Sequence, residues 1–207
     1  MMRILSLGFL AALPSLISAG PLRARGNLYP ADCVFTDYVI APTWTGGSQD
    51  DTTNVCLAKW QEGLLVTGIT TWTEKTVVQG IQVTYSDGSK SDVVGQIKGK
   101  QTQGSWDITD PVTSATVFGD GKGYRLGKMK ISTKSGTQVE VGQENVRTDS
   151  GTPHDVGGGL LMGIIVATNG EEIVRGAYLF IKDQIKEVEV TDFKFDDDIN
   201  QLNSQQQ

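Results

Sequence analysis

Short runs of alternating apolar and polar residues, cut by glycine-bearing turns, leave this chain few folds to choose from. Ile81, Val83 and Tyr85 alternate with Gln82, Thr84 and Ser86, and Asp87-Gly88 ends the run. A period of two places the apolar set on one face of a half-buried strand, and Asp-Gly is a tight-turn pair. Met129 and Ile131 alternate with Lys128 and Lys130, and Val139 and Val141 alternate with Gln138 and Glu140. Lys134-Ser135-Gly136 lies between these two runs and predicts a hairpin. Asp120-Gly121 and Asn169-Gly170 mark two further turns, and Val188 and Val190, alternating with Glu187 and Glu189, predict a final strand. No stretch of about 12 residues carries a convincing amphipathic helical period. Strands this short, from about residue 46 to residue 195, imply an all-β sandwich, barrel or prism.

The N-terminus reads as a secretory signal. Arg3 precedes a mostly apolar stretch from Ile4 to Leu13, and Pro14 and Ser18-Ala19 supply a small-residue cleavage zone. The expected organisation is a signal peptide over residues 1–19, an N-terminal arm over 20–45, a β domain over 46–195 and a disordered polar tail over 196–207. Secretion makes the only two cysteines, Cys33 and Cys56, a disulfide by default. Such a bridge stabilises by about 3 kcal/mol on the chain-entropy model. The expected location is extracellular, with no transmembrane segment after the leader, since no later run approaches the ~18 apolar residues a span needs.

Charge and chemistry remove several function classes. The net charge of −6 sets the chain against phosphate backbones, so no nucleic-acid partner is expected. One histidine and two cysteines cannot build the usual zinc site, and the acidic run Asp196-Asp197-Asp198 lacks calcium-loop spacing. No metal and no cofactor is expected. The nucleophile elbow G-x-S-x-G is absent. His154, in Gly151-Thr152-Pro153-His154-Asp155, reads as a solvent-exposed loop histidine rather than a general base. No enzyme is expected. A polar, glycine-rich loop set on a β scaffold is where binding usually sits.

Three stretches then become specific. Ile69-Thr70-Thr71-Trp72 leads into Val77-Val78-Gln79-Gly80-Ile81-Gln82-Val83-Thr84-Tyr85-Ser86-Asp87-Gly88; Val112 to Val141 carries Val117-Phe118-Gly119-Asp120-Gly121 and Ile131-Ser132-Thr133; Gly157-Gly158-Gly159-Leu160-Leu161-Met162-Gly163 precedes Asn169-Gly170-Glu171-Glu172-Ile173 and Tyr178-Leu179-Phe180. In this order, over residues 44–195, they resemble jacalin-related lectin domains, particularly those of secreted fungal proteins. The resemblance implies a β-prism of three four-stranded antiparallel sheets.

It also implies a carbohydrate site at one end of the prism, made by a Gly-Gly loop near the domain start and a G-x-x-x-D loop near its end. Gly46-Gly47 looks like the first, and Asn169-Gly170-Glu171-Glu172-Ile173-Val174 like the second. In the family, loop amides donate to sugar oxygens and the Asp accepts from two hydroxyls. Val174 stands where that Asp is expected, and a valine accepts nothing. Loss of a charge-assisted bond costs ~1.5–3 kcal/mol. Glu172, two residues away, is the substitute acceptor. Trp72 is expected in the core, and Trp44, beside the glycine pair, is the better candidate for a sugar contact.

The resemblance implies a secreted, non-catalytic, metal-independent lectin of mannose or glucose type, with glycans or glycoproteins as partners. Its relatives often dimerise, so a homodimer is admitted. Val174 keeps a second reading open: a sugar-silent prism acting as a protein-interaction or effector module.

Overall fold

The computed structural model describes residues 33, 39–47, 51–121, 125–146 and 151–182. The signal, most of the arm, the predicted strand at Val188 and Val190 and the polar tail lie outside them. The described residues form twelve strands: β1 (Thr45–Gly46), β2 (Thr53–Ala58), β3 (Val66–Glu74), β4 (Val77–Tyr85), β5 (Val94–Gly95), β6 (Lys100–Ser105), β7 (Val112–Gly119), β8 (Leu126–Thr133), β9 (Gln138–Gly142), β10 (Gly151–His154), β11 (Leu161–Thr168) and β12 (Ile173–Phe180). They pair as three four-stranded sheets, ordered β1-β12-β11-β2, β5-β4-β3-β6 and β10-β7-β8-β9, with every pairing antiparallel. The first sheet joins the first two strands to the last two, so the start and end of the domain close it together.

Alternation sets the register. Ile69 opposes Val83 and Thr71 opposes Ile81 across β3 and β4, while Met129 opposes Val141 and Ile131 opposes Val139 across β8 and β9. A one-residue slip would turn every apolar side chain outward. The Lys134–Gly136 turn predicted from sequence closes the second hairpin, with the Thr133 amide donating to the Thr137 carbonyl at 3.0 Å. The inward residues of all three sheets form one core around Ile69, Ile81, Val117, Met129, Ile164 and Tyr178. Each fully buried side chain of this size contributes about 1.5–3 kcal/mol. Trp72 is buried, as expected.

β11 and β12 do not alternate. LMGIIVAT and IVRGAYLF are near-continuous apolar runs, and nearly every residue is buried. Such runs arise where both faces of a sheet are covered. Here the outward residues Met162, Ile165, Ala177 and Leu179 form a second apolar cluster beneath Cys33 and Val39, with Trp44 and Trp60 packed against it. The leading segment is held there by the Cys33–Cys56 disulfide, with a Cα–Cα distance of 5.7 Å, and by the Ile40 amide donating to the Phe180 carbonyl at 2.9 Å.

His154 corrects the sequence reading. It is not on an exposed loop: it belongs to β10, opposite Ala115, and its ring meets Tyr178 edge-on at 5.4 Å between centroids. Its Nε2 is buried without a hydrogen-bond partner among the described residues, and burial lowers its pKa to about 4. The Thr152-Pro153 pair looked turn-like, but an edge strand tolerates proline, and β10 is the edge of its sheet.

Candidate functional site

The glycine pair and the Asn169–Glu172 turn sit side by side. Gly46 opposes Arg175 across β1 and β12, and the Gly47 amide donates to the Val174 carbonyl at 3.0 Å. Only glycine fits at position 46. Its φ is +125°, and a Cβ there would lie 2.3 Å from the Val174 carbonyl oxygen. The close approach of β1 to β12 brings together the two stretches selected from sequence.

The Asn169–Glu172 turn joins β11 to β12. Asn169 Oδ1 accepts from the amides of Glu171 and Glu172, both at 3.0 Å. Thr168 Oγ1 accepts from the Gly170 amide at 3.0 Å and donates to the Glu172 carbonyl at 2.9 Å. The three turn amides are therefore engaged by the turn's own side chains. Gly170 forms a bare tip, with φ at +91° and no atom of the described residues within 4 Å of where its Cβ would be.

Side chains around the turn carry the charge. Arg125, just before β8, donates through Nε to Glu172 Oε1, and both side chains are half-buried. Lys98, in the β5–β6 connection, lies 2.7 Å from Glu74 at the end of β3. Its pKa is raised by the hydrogen bond and charge of Glu74, with Glu171 adding to the effect. The β3–β4, β5–β6, β7–β8 and β11–β12 connections thus gather at one end of the prism, joined by paired charges. Each pair sets a cationic donor beside a carboxylate acceptor.

Val174 is buried, with 4% of its surface exposed, so its side chain faces no ligand. Arg175 beside it is also buried, and its guanidinium lies 4.2 Å from the centroid of the Trp44 ring. One face of Trp44 is thereby covered by a cation. Arg175 Nη2 is 3.5 Å from Asn54 Oδ1. Sequence reasoning missed Arg125, Thr168 and Arg175. Arg175 had a signal, as the only charge in an otherwise apolar strand. Arg125 had none, because its role depends on the approach of two connections 47 residues apart.

Among the described residues, no group of three or more His, Cys, Asp or Glu side chains could hold a metal ion. No described helix is long and apolar enough to cross a membrane.

No family model matches the sequence, and no curated protein matches it. Solved structures do resemble the fold. The lamprey immune protein aligns with a TM-score of 0.63 at 18% identity, over 72% of this chain and 46% of that one, so the chain spans about half of that protein's length. Frutapin, a lectin from Artocarpus incisa, aligns at 0.51 and 12% identity, over 72% of this chain and 99% of the lectin. A mannose-binding lectin from Champedak aligns at 0.50 and 13% identity, over 68% and 94%. Three four-stranded antiparallel sheets in this arrangement make the fold a jacalin-like β-prism.

Proposed function

We propose that this chain is a secreted, non-catalytic carbohydrate-binding prism of mannose or glucose type. Its site is the apical meeting of Gly46-Gly47 with Asn169-Gly170-Glu171-Glu172. The observation that carries the reading is the direct bond between the two stretches, Gly47 amide to Val174 carbonyl, at the end where the charged connections gather. The reading extends to a leader over 1–19, an arm over 20–45, a prism over 46–195 and a polar tail. Its partners are glycans or glycoproteins, with self-association into a homodimer. Recognition runs through side chains: Glu171 and Glu172 accept, and Arg125 donates. Retention on immobilised mannose, released by free mannose and lost in Glu172→Ala, is the expected result. No retention and no glycan-array signal at millimolar sugar would reject it.

A second reading has its own support. The turn amides are engaged within the turn and Val174 is buried, so the backbone donors and the acidic acceptor of the family pattern are both missing. On that reading the prism is sugar-silent and acts as a protein-interaction or effector module. Absence of glycan binding by the parent protein at millimolar sugar would favour it, and wild-type binding lost in Glu172→Ala would reject it.

A further inference from the structure

The prism closes unevenly at its corners. Where β6 meets β9, the Gly142 amide donates to Thr102 Oγ1 at 2.8 Å, and Gly104 lies against Val139 so closely that a Cβ would be 2.6 Å from its Cγ1. β2 and β5 are each the last strand of their sheets, and no main-chain hydrogen bond joins them among the described residues. A groove of about 390 Å³ remains there, along the half of β2 that leads away from the apex. That volume falls in the roughly 300–1,000 Å³ range of small-molecule sites.

Tyr85 gives the groove its chemistry. The residue is only 3% exposed and lines the groove, and Trp60, in the same lining, keeps its indole Nε1 buried without a hydrogen-bond partner among the described residues. A buried polar group without a partner is uncommon enough to need a reason. With them in the lining stand Lys59, Gln61, Glu62 and Asp92. The Lys59 ammonium lies 5.2 Å from the centre of the Tyr85 ring and 3.9 Å from Glu62. Burial raises the Tyr85 pKa, and the charges of Glu62 and Asp92 raise it further, so the phenol keeps its proton at neutral pH. The Ser91 hydroxyl is already engaged, donating to the Asp92 carbonyl at 2.8 Å and accepting from the Val83 amide at 3.1 Å.

We propose that this corner groove is a second carbohydrate site, separate from the apical one. Tyr85 and Gln61 each donate and accept, Glu62 and Asp92 accept, and Lys59 donates. A sugar hydroxyl also does both, so a polyol can satisfy this set where a purely cationic or anionic ligand cannot. A cationic ligand would have to displace Lys59 from the ring it already covers. The apolar wall of Val55, Leu57 and Val94 suits the C–H face of a pyranose. The inference does not depend on the apical reading.

The test is an amide NMR titration of the full chain with mannose, N-acetylglucosamine and galactose, each to millimolar excess, and separately with arginine methyl ester. Shifts clustered at residues 59–62 and 91–94 with at least one sugar are expected. Tyr85→Phe and Asp92→Asn should each weaken that binding about tenfold, the effect of one hydrogen bond to or from a charged or buried group. Both variants keep the packing, and an unchanged unfolding midpoint confirms it. Shifts confined to 46–47 and 169–172 would overturn the groove site and leave the apical one standing. Absence of sugar shifts anywhere would overturn both. Groove shifts with the arginine ester alone would overturn the assigned ligand class.

Discussion

Arg125 and Glu172 form an ion pair that ties the β7–β8 connection to the β11–β12 turn. The pair fixes the carboxylate on which the proposed apical site depends, and it holds a guanidinium beside that carboxylate. Arg125→Ala should cost only about 0.5–1 kcal/mol of stability, since both side chains are partly exposed. Any mannose affinity should fall about tenfold in either Arg125→Ala or Glu172→Ala. The double variant should fall little further than either single one. Calorimetric titration of the four proteins measures this, and additive losses would show that the two side chains act separately.

Gly46 and Gly170 test the geometry of the same end. Both have positive φ, but a Cβ at 46 meets the Val174 carbonyl and one at 170 meets nothing. Gly46→Ala should therefore destabilise by more than about 2 kcal/mol, through strain and collision together, while Gly170→Ala should cost about 1 kcal/mol from backbone strain. Urea midpoints of the two variants rank the effects.

The disulfide fastens the leading segment over the outward face of β11 and β12. Replacing Cys33 and Cys56 together by serine should lower stability by about 3 kcal/mol. It should also bare the second apolar cluster, so the variant should bind a hydrophobic dye that the parent protein does not. The twelve-strand core draws on other residues, so far-ultraviolet circular dichroism should be unchanged.

His154 makes stability depend on pH in a defined window. Its folded pKa is about 4, below the ordinary value of 6.5, because burial disfavours the charged ring. Between those values the unfolded chain binds the extra proton. The contribution is therefore fully present above pH ~6.5 and is lost as pH falls toward 4. The slope approaches about 1.4 kcal/mol per pH unit inside the window. His154→Phe keeps an aromatic ring against Tyr178 and should flatten this slope. Urea midpoints between pH 4 and 7 for both proteins measure it, and equal slopes would place the titration elsewhere.

Much of the fold was legible because its cause is local. The period of two in Ile81-Val83-Tyr85 and in Met129-Ile131, with the Lys134–Gly136 turn, fixes strands, faces and hairpin within about a dozen residues. The single pair of cysteines likewise determined the bridge. Other features depend on residues far apart in the chain. The continuous apolar runs of β11 and β12 make sense only once Cys33 and Val39 cover their outer face. His154 reads as a loop residue until Ala115 pairs with it and Tyr178 packs against it. The resemblance implies loop amides that donate to a sugar, and only the folded backbone shows Asn169 and Thr168 engaging those of residues 170–172. Sequence by itself determined which residues alternate and where the chain can turn. Tertiary structure alone decided which polar groups were satisfied and which, like the Trp60 Nε1, were left open among the described residues, because hydrogen-bond partners are set by distance in space and not by distance along the chain.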